Sequence, residues 1–150
     1  MSDKYDKCIK QWNEIFSKDN LKFPLKKELG NAIFDNSLKW VAENSNTILD
    51  FGCGNGIMLF LSSLYGTKKH IGIDLSEQAI LNAKFFSSQN DKGEFLFQCG
   101  GIDLLKDMES KSADGVILSN IIDNLYPEDA LLVLDEVKRI LTPNGKTFIK

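Results

Sequence analysis

Thr47-Ile48-Leu49-Asp50-Phe51-Gly52-Cys53-Gly54-Asn55-Gly56 is the stretch on which the reading of this chain turns. Apolar residues run into an acid, glycines follow at every second position, and Ile57-Met58-Leu59-Phe60-Leu61 continues as an apolar run. The pattern predicts a strand, a tight turn and a helix. Glycine lets the backbone take positive φ and lets a ligand come within hydrogen-bonding distance of its amides. The helix start at Gly56 aims unpaired N–H groups at the same place, which suits a phosphate or a carboxylate.

The glycine spacing separates two ligand classes. A dinucleotide turn needs Gly-x-Gly-x-x-Gly, and here the third glycine would fall on Ile57. An NAD-binding oxidoreductase is therefore the less favoured reading. The observed form is Asp-x-Gly-x-Gly-x-Gly.

Composition narrows the field further. The chain has 150 residues, 43% of them hydrophobic, enough for one domain with a core of its own. It carries 21 acids and 18 bases, with Arg139 the only arginine and the lysines scattered, so no basic face for nucleic acid is expected. Cys8, Cys53 and Cys99 have neither disulfide nor metal-ligand spacing, which suggests a reduced, cytoplasmic compartment and no metal. No membrane span and no signal peptide are expected. His70 is the only histidine, which removes histidine-based triads and most zinc sites.

Outward from the glycine turn, strands alternate with helices. Tyr5, Cys8, Ile9, Trp12, Ile15 and Phe16 share one face of an N-terminal helix, which either packs on the core or covers a cleft with Tyr5 or Trp12 turned to a ligand. Phe23-Pro24 breaks this helix. A second helix is expected over 27–43, with Leu29, Ile33, Trp40 and Val41 inward. After Gly66, a second strand ends on Asp74, and Ser76 caps the next helix. Residues 94–99 form a third strand and 113–119 a fourth, buried on both faces. Pro127, Glu128 and Asp129 open a helix with Ala130, Val133, Leu134, Val137, Ile140 and Leu141 inward. Thr142-Pro143-Asn144-Gly145 is a turn, and a fifth strand starts at Lys146. The expected fold is an α/β doubly wound, mostly parallel sheet with helices on both faces.

Four segments taken in order carry a resemblance: the glycine turn, the acid Asp74 at the end of the second strand, Asp114 to Leu125, and Glu136 to Ile149 with its E-x-x-R-x-L-x-P-x-G form. Together they resemble the class I (Rossmann-like) S-adenosylmethionine-dependent methyltransferases. The resemblance implies S-adenosylmethionine as cofactor, held by Asp50, Gly52, Cys53, Gly54 and Gly56. It gives Asp74 the two ribose hydroxyls, sets Leu75 against the adenine, and places Ser119 and Asn120 under the methionine part. After the third strand the family often shows Gly-Asp-Ala, its acid on the adenine amino group. Here Gly100-Gly101-Ile102-Asp103 stands instead, so Ile102 and Asp103 are the nearest candidates. Asn144 replaces the first of two family glycines and would tolerate the left-handed region. Asp123 stands where the family often has histidine; it would steady a substrate amine, act as a base, or simply cap a helix, the last being preferred.

No catalytic residue is assigned. The implied reaction is in-line methyl transfer to a small-molecule acceptor, with neither nucleic acid nor membrane as partner. The resembled fold has seven strands and this sequence stops in the fifth. The expected division is a helical cover over 1–45 and a core over 46–150, incomplete at its C-terminal end, whose bare fifth-strand edge would pair two copies. A binding module that has lost its substrate half is the alternative.

Overall fold

A computed structural model describes residues 3–20, 22 and 26–150. The expected break at Phe23-Pro24 lies outside the described residues. A short 3-10 turn, Asp3–Tyr5, leads into α1 (Asp6–Phe16), then α2 (Ala32–Glu43), β1 (Thr47–Phe51), α3 (Ile57–Leu64), β2 (Lys69–Asp74), α4 (Glu77–Ser87), β3 (Glu94–Cys99), α5 (Ile102–Asp107), β4 (Ala113–Leu118), α6 (Pro127–Ile140) and β5 (Leu141–Ile149). The five strands form one parallel sheet in the order β3-β2-β1-β4-β5.

Alternation along the central strands builds two apolar layers. Ile48 of β1 and Ile117 of β4 join Leu38 and Val41 of α2, Leu59 and Phe60 of α3 and Ile80 of α4 on one face. Leu49, Phe51, Val116 and Leu118 join Leu105 of α5 and Val133, Val137 and Ile140 of α6 on the other. Strand order reverses between β1 and β4, so the crevice beyond their carboxyl ends is the place where such a sheet takes a ligand.

Local rules hold at several ends. Ser76 Oγ accepts the Ala79 amide at 3.1 Å, and Pro127 occupies the first turn of α6 with Glu128 and Asp129. Two helix faces differ from expectation. α2 begins at Ala32 because Asn31 caps it, Oδ1 accepting the Phe34 amide at 3.1 Å, while Asp35 holds the Leu29 and Gly30 amides at 2.9 and 3.1 Å. Its inner stripe is Leu38, Val41 and Ala42; Leu29, Ile33 and Trp40 are exposed. In α6, Leu134 is also exposed, since the face set by Val133, Val137 and Ile140 turns it outward.

β5 also departs from the expected turn and strand. Its register with β4 jumps from Ala113↔Leu141 to Gly115↔Lys146, so residues 142–145 loop out as an irregularity within one strand. Asn144 does not take the left-handed conformation; among described non-glycine residues only Lys111 and Asn120 do.

Candidate functional site

β1 delivers Asp50 to the switch point and the chain turns there through Gly52, at φ +78°, and Gly54, at φ +53°. The Gly52 and Cys53 amides donate to the Ile73 carbonyl at 2.8 and 3.0 Å, which ties the turn to the end of β2. Asp74 completes the tie. Its Oδ2 accepts the Gly54 amide at 2.8 Å and its Oδ1 the Ser76 amide at 2.8 Å. Each oxygen keeps lone-pair capacity for one further donor. Burial pushes the Asp74 carboxyl above its ordinary range, and the two amides pull it back in part.

Asp50 lies beneath the turn at 1% exposure, and its Oδ1 has no hydrogen-bond partner among the described residues. Burial, with Asp74 adding to it, pushes the Asp50 carboxyl well above the ordinary range. Burial likewise pushes the Cys53 thiol well up, so this cysteine is no nucleophile.

A cavity of about 190 Å³ opens above this floor. Gly52, Gly54, Asp74, Leu75, Ser119 and Asn120, six of the residues that the resemblance gives to the cofactor, line it. Asn120 sits in the left-handed region at φ +54°, with its amide on the Lys150 carbonyl at 2.9 Å. The remaining wall is α1, through Tyr5, Cys8, Ile9, Trp12 and Phe16. These residues belong to the apolar face of that helix. Among the described residues, no lysine or arginine lines the cavity.

The other predicted site residues stand elsewhere. Asp50 and Cys53 are buried beneath the turn rather than in its wall. A Cβ added to Gly56 would stand 2.8 Å from Phe97, so close packing of the α3 start requires this glycine. Ile102 is buried beside Leu105 in the α5–α6 layer. Asp103 points to solvent and pairs with Lys106 at 3.7 Å, because α5 begins at Ile102 and turns its first-turn acid outward. Gly100 lines the cavity in that position instead. Asp123 is exposed in the 3-10 turn Ile122–Asn124 and does not cap α6, whose N-cap is Tyr126.

Sequence reasoning missed Ser76, Gly100, Ile121, Asn124 and Leu125 as wall residues. Ile121 packs on the glycine turn, its Cδ1 2.8 Å from where a Cβ on Gly52 would stand, a proximity only the fold creates. A larger groove, about 590 Å³ between α2 and β5, has no acid and no glycine in its lining among the described residues. Among the described residues no group of histidine, cysteine or acid side chains could hold a metal ion, and no helix is long and apolar enough to cross a membrane.

Comparison with known proteins agrees with this geometry. The family described as "Methyltransferase domain" matches residues 42–150. A ribosomal protein L11 methyltransferase of Pasteurella multocida is 29% identical over 111 residues, covering 72% of this chain and 35% of that protein. Its counterpart in Mannheimia succiniciproducens is 33% identical over 90 residues, covering 60% of this chain and 31% of the relative. This chain thus spans about a third of the length of these curated relatives. The crystal structure of a SAM-dependent methyltransferase from Archaeoglobus fulgidus superposes with a TM-score of 0.68 at 25% identity, over 83% of this chain and 52% of that one. These names correct one expectation. A small-molecule acceptor with no nucleic acid among the partners is overturned by relatives named for a ribosomal protein.

Proposed function

We propose, from the premise that this chain belongs to the methyltransferase-domain family, that its central cavity holds S-adenosylmethionine for transfer of the methyl group to a polypeptide acceptor. The cofactor is the family's; the residues that hold it and the acceptor are our assignment. Relatives named for ribosomal protein L11 support a protein acceptor.

The observation that carries the assignment is the polarity of the cavity. One carboxylate, Asp74, lines it, and among the described residues no basic side chain does. Such a wall repels the phosphates of a dinucleotide and suits a ligand with hydroxyls and positive charge.

When bound, S-adenosylmethionine supplies a methyl group on a sulfonium, which an acceptor lone pair takes as the carbon–sulfur bond breaks. The chain's own tasks are to bind, align and exclude water. Asp74 accepts the ribose hydroxyls with the lone pairs that the Gly54 and Ser76 amides leave free. Leu75 offers an apolar contact to the adenine, and Gly54 allows close backbone approach. Ser119 and Asn120 hold the methionine end, while Trp12 and Phe16 keep water from the opposite side.

Titration calorimetry with S-adenosylhomocysteine tests the reading. Binding that Asp74→Ala weakens by on the order of 100-fold or more supports it, and absence of binding by the folded chain rejects it.

A further inference from the structure

We infer that the outer edge of β3 pairs antiparallel with the same edge of a second copy, about a twofold axis at Leu96. One sheet then runs through both copies of a dimer.

β3 is an outer strand, and its ladder with β2 is regular from Glu94 to Cys99. The Glu94 amide donates to the Lys68 carbonyl at 2.8 Å and the Gly100 amide to the Asp74 carbonyl at 2.9 Å. Hydrogen-bonding direction alternates along a strand, so Phe95, Phe97 and Cys99 turn their amides and carbonyls to the outer edge. Among the described residues no strand pairs with that edge.

Sheets blunt a free edge with lysine, proline or a bulge. Glu94-Phe95-Leu96-Phe97-Gln98-Cys99 has none of these. β5, the edge expected from the sequence to pair two copies, carries Pro143 and the looped-out residues 142–145. It is the poorer template.

The β3 sequence is also complementary to its own reverse. With Leu96 on the axis, Phe95 meets Phe97 of the second copy, and the outward backbone groups of both residues form hydrogen-bonded pairs. Leu96, 53% exposed, meets its own copy as a non-hydrogen-bonded pair, where side chains come closest. Glu94 meets Gln98 of the second copy, a carboxylate opposite an amide donor. Sliding the pairing by two residues either way sets Leu96 opposite Glu94 or Gln98, so one register is favoured. A twofold interface requires self-complementarity of this kind.

The same axis stands normal to the sheet and brings the two α4 helices together on one face. α4 packs on Phe97 through Ile80, Ala83 and Phe86, and leaves Leu81 and Phe85 exposed at 54% and 62%. That apolar area adds to a strand edge too small for a stable dimer by itself.

Sedimentation velocity of the purified chain over a range of concentrations tests the pairing. A dimer of two 16.9 kDa chains should form, and Leu96→Lys, which sets two ammonium groups at the axis, should return it to monomer. Gln98 reads the register. Gln98→Glu sets a carboxylate opposite Glu94 and should weaken the dimer on the order of tenfold, while Gln98→Lys should tighten it by a similar factor. Leu96 and Gln98 are exposed, so the variants should keep the fold, which a thermal melt checks. A monomer at every concentration overturns the pairing. A dimer indifferent to the two Gln98 substitutions lies at another surface and overturns it as well.

Discussion

The Asp74 carboxylate holds the Gly54 amide at 2.8 Å, so the acid that ends β2 braces the glycine turn that ends β1. One side chain therefore shapes the floor of the cavity and also faces the space above it. The burial that raises the Asp74 pKa is offset in part by the amide hydrogen bonds that Asp74 accepts.

Asp74→Ala should weaken S-adenosylhomocysteine binding by on the order of 100-fold or more, two hydrogen bonds to a charged acceptor being lost at about 1.5–3 kcal/mol each. The melting temperature should fall only modestly, because the strand pairing of β2 does not depend on this side chain. Calorimetry and a thermal melt on the same preparation check both halves. Unchanged affinity in a folded variant reduces Asp74 to a brace.

Gly54→Val forces a branched residue to φ +53° and drives its Cβ against Phe16. Local strain of about 1–3 kcal/mol should accompany loss of ligand binding. Gly93→Val is the control, since at φ +112° its Cβ would meet the Lys68 carbonyl at 2.7 Å, far from the glycine turn along the chain. That variant should melt earlier yet keep its affinity when measured below its melting point.

Asp50 should make the ligand-free protein less stable as pH rises. Its folded-state pKa is raised, so the folded chain keeps a proton that the unfolded chain releases above 3.8. Stability is then fully present below that value and is lost as pH climbs towards the raised pKa. Asp50→Asn should remove this slope, gaining more at pH 8 than at pH 5 in denaturant titrations. Equal effects at both pH values would show that Asp50 is not held neutral.

His70 acts with the opposite sign. It is buried between Thr67 and the Glu94 carbonyl, stacks on Phe95 at 4.2 Å, and burial lowers its pKa below 6.5. Below pH 6.5 the unfolded chain takes a proton that the folded chain refuses, so stability falls on acidification. The slope cannot exceed about 1.4 kcal/mol per pH unit for one group. His70→Gln should flatten the acid limb of a melting-temperature profile between pH 7 and 5.

The glycine turn, Asp74 and the parallel order of strands were legible because each is written in local spacing. Ser76 and Pro127 were legible for the same reason, as caps and first-turn residues announce themselves. Direction was harder to read. Asp103 carries the right chemistry, but the start of α5 at Ile102 sends its carboxylate to solvent. Ile33 and Trp40 look like core residues until Leu38 and Val41 fix which face of α2 meets the sheet. The N-terminal stripe was visible as a stripe; only tertiary placement shows that a cavity lies under it. The acceptor was out of reach, since no cavity residue names it and the relatives' names point to a protein.

The central claim is that the Gly52–Gly54 turn and Asp74 hold S-adenosylmethionine. Side-by-side calorimetric titration of the purified chain with S-adenosylhomocysteine and with NAD measures this most directly. The cavity described here should bind S-adenosylhomocysteine in the micromolar range and show no heat with NAD. Equal or tighter binding of NAD would contradict it.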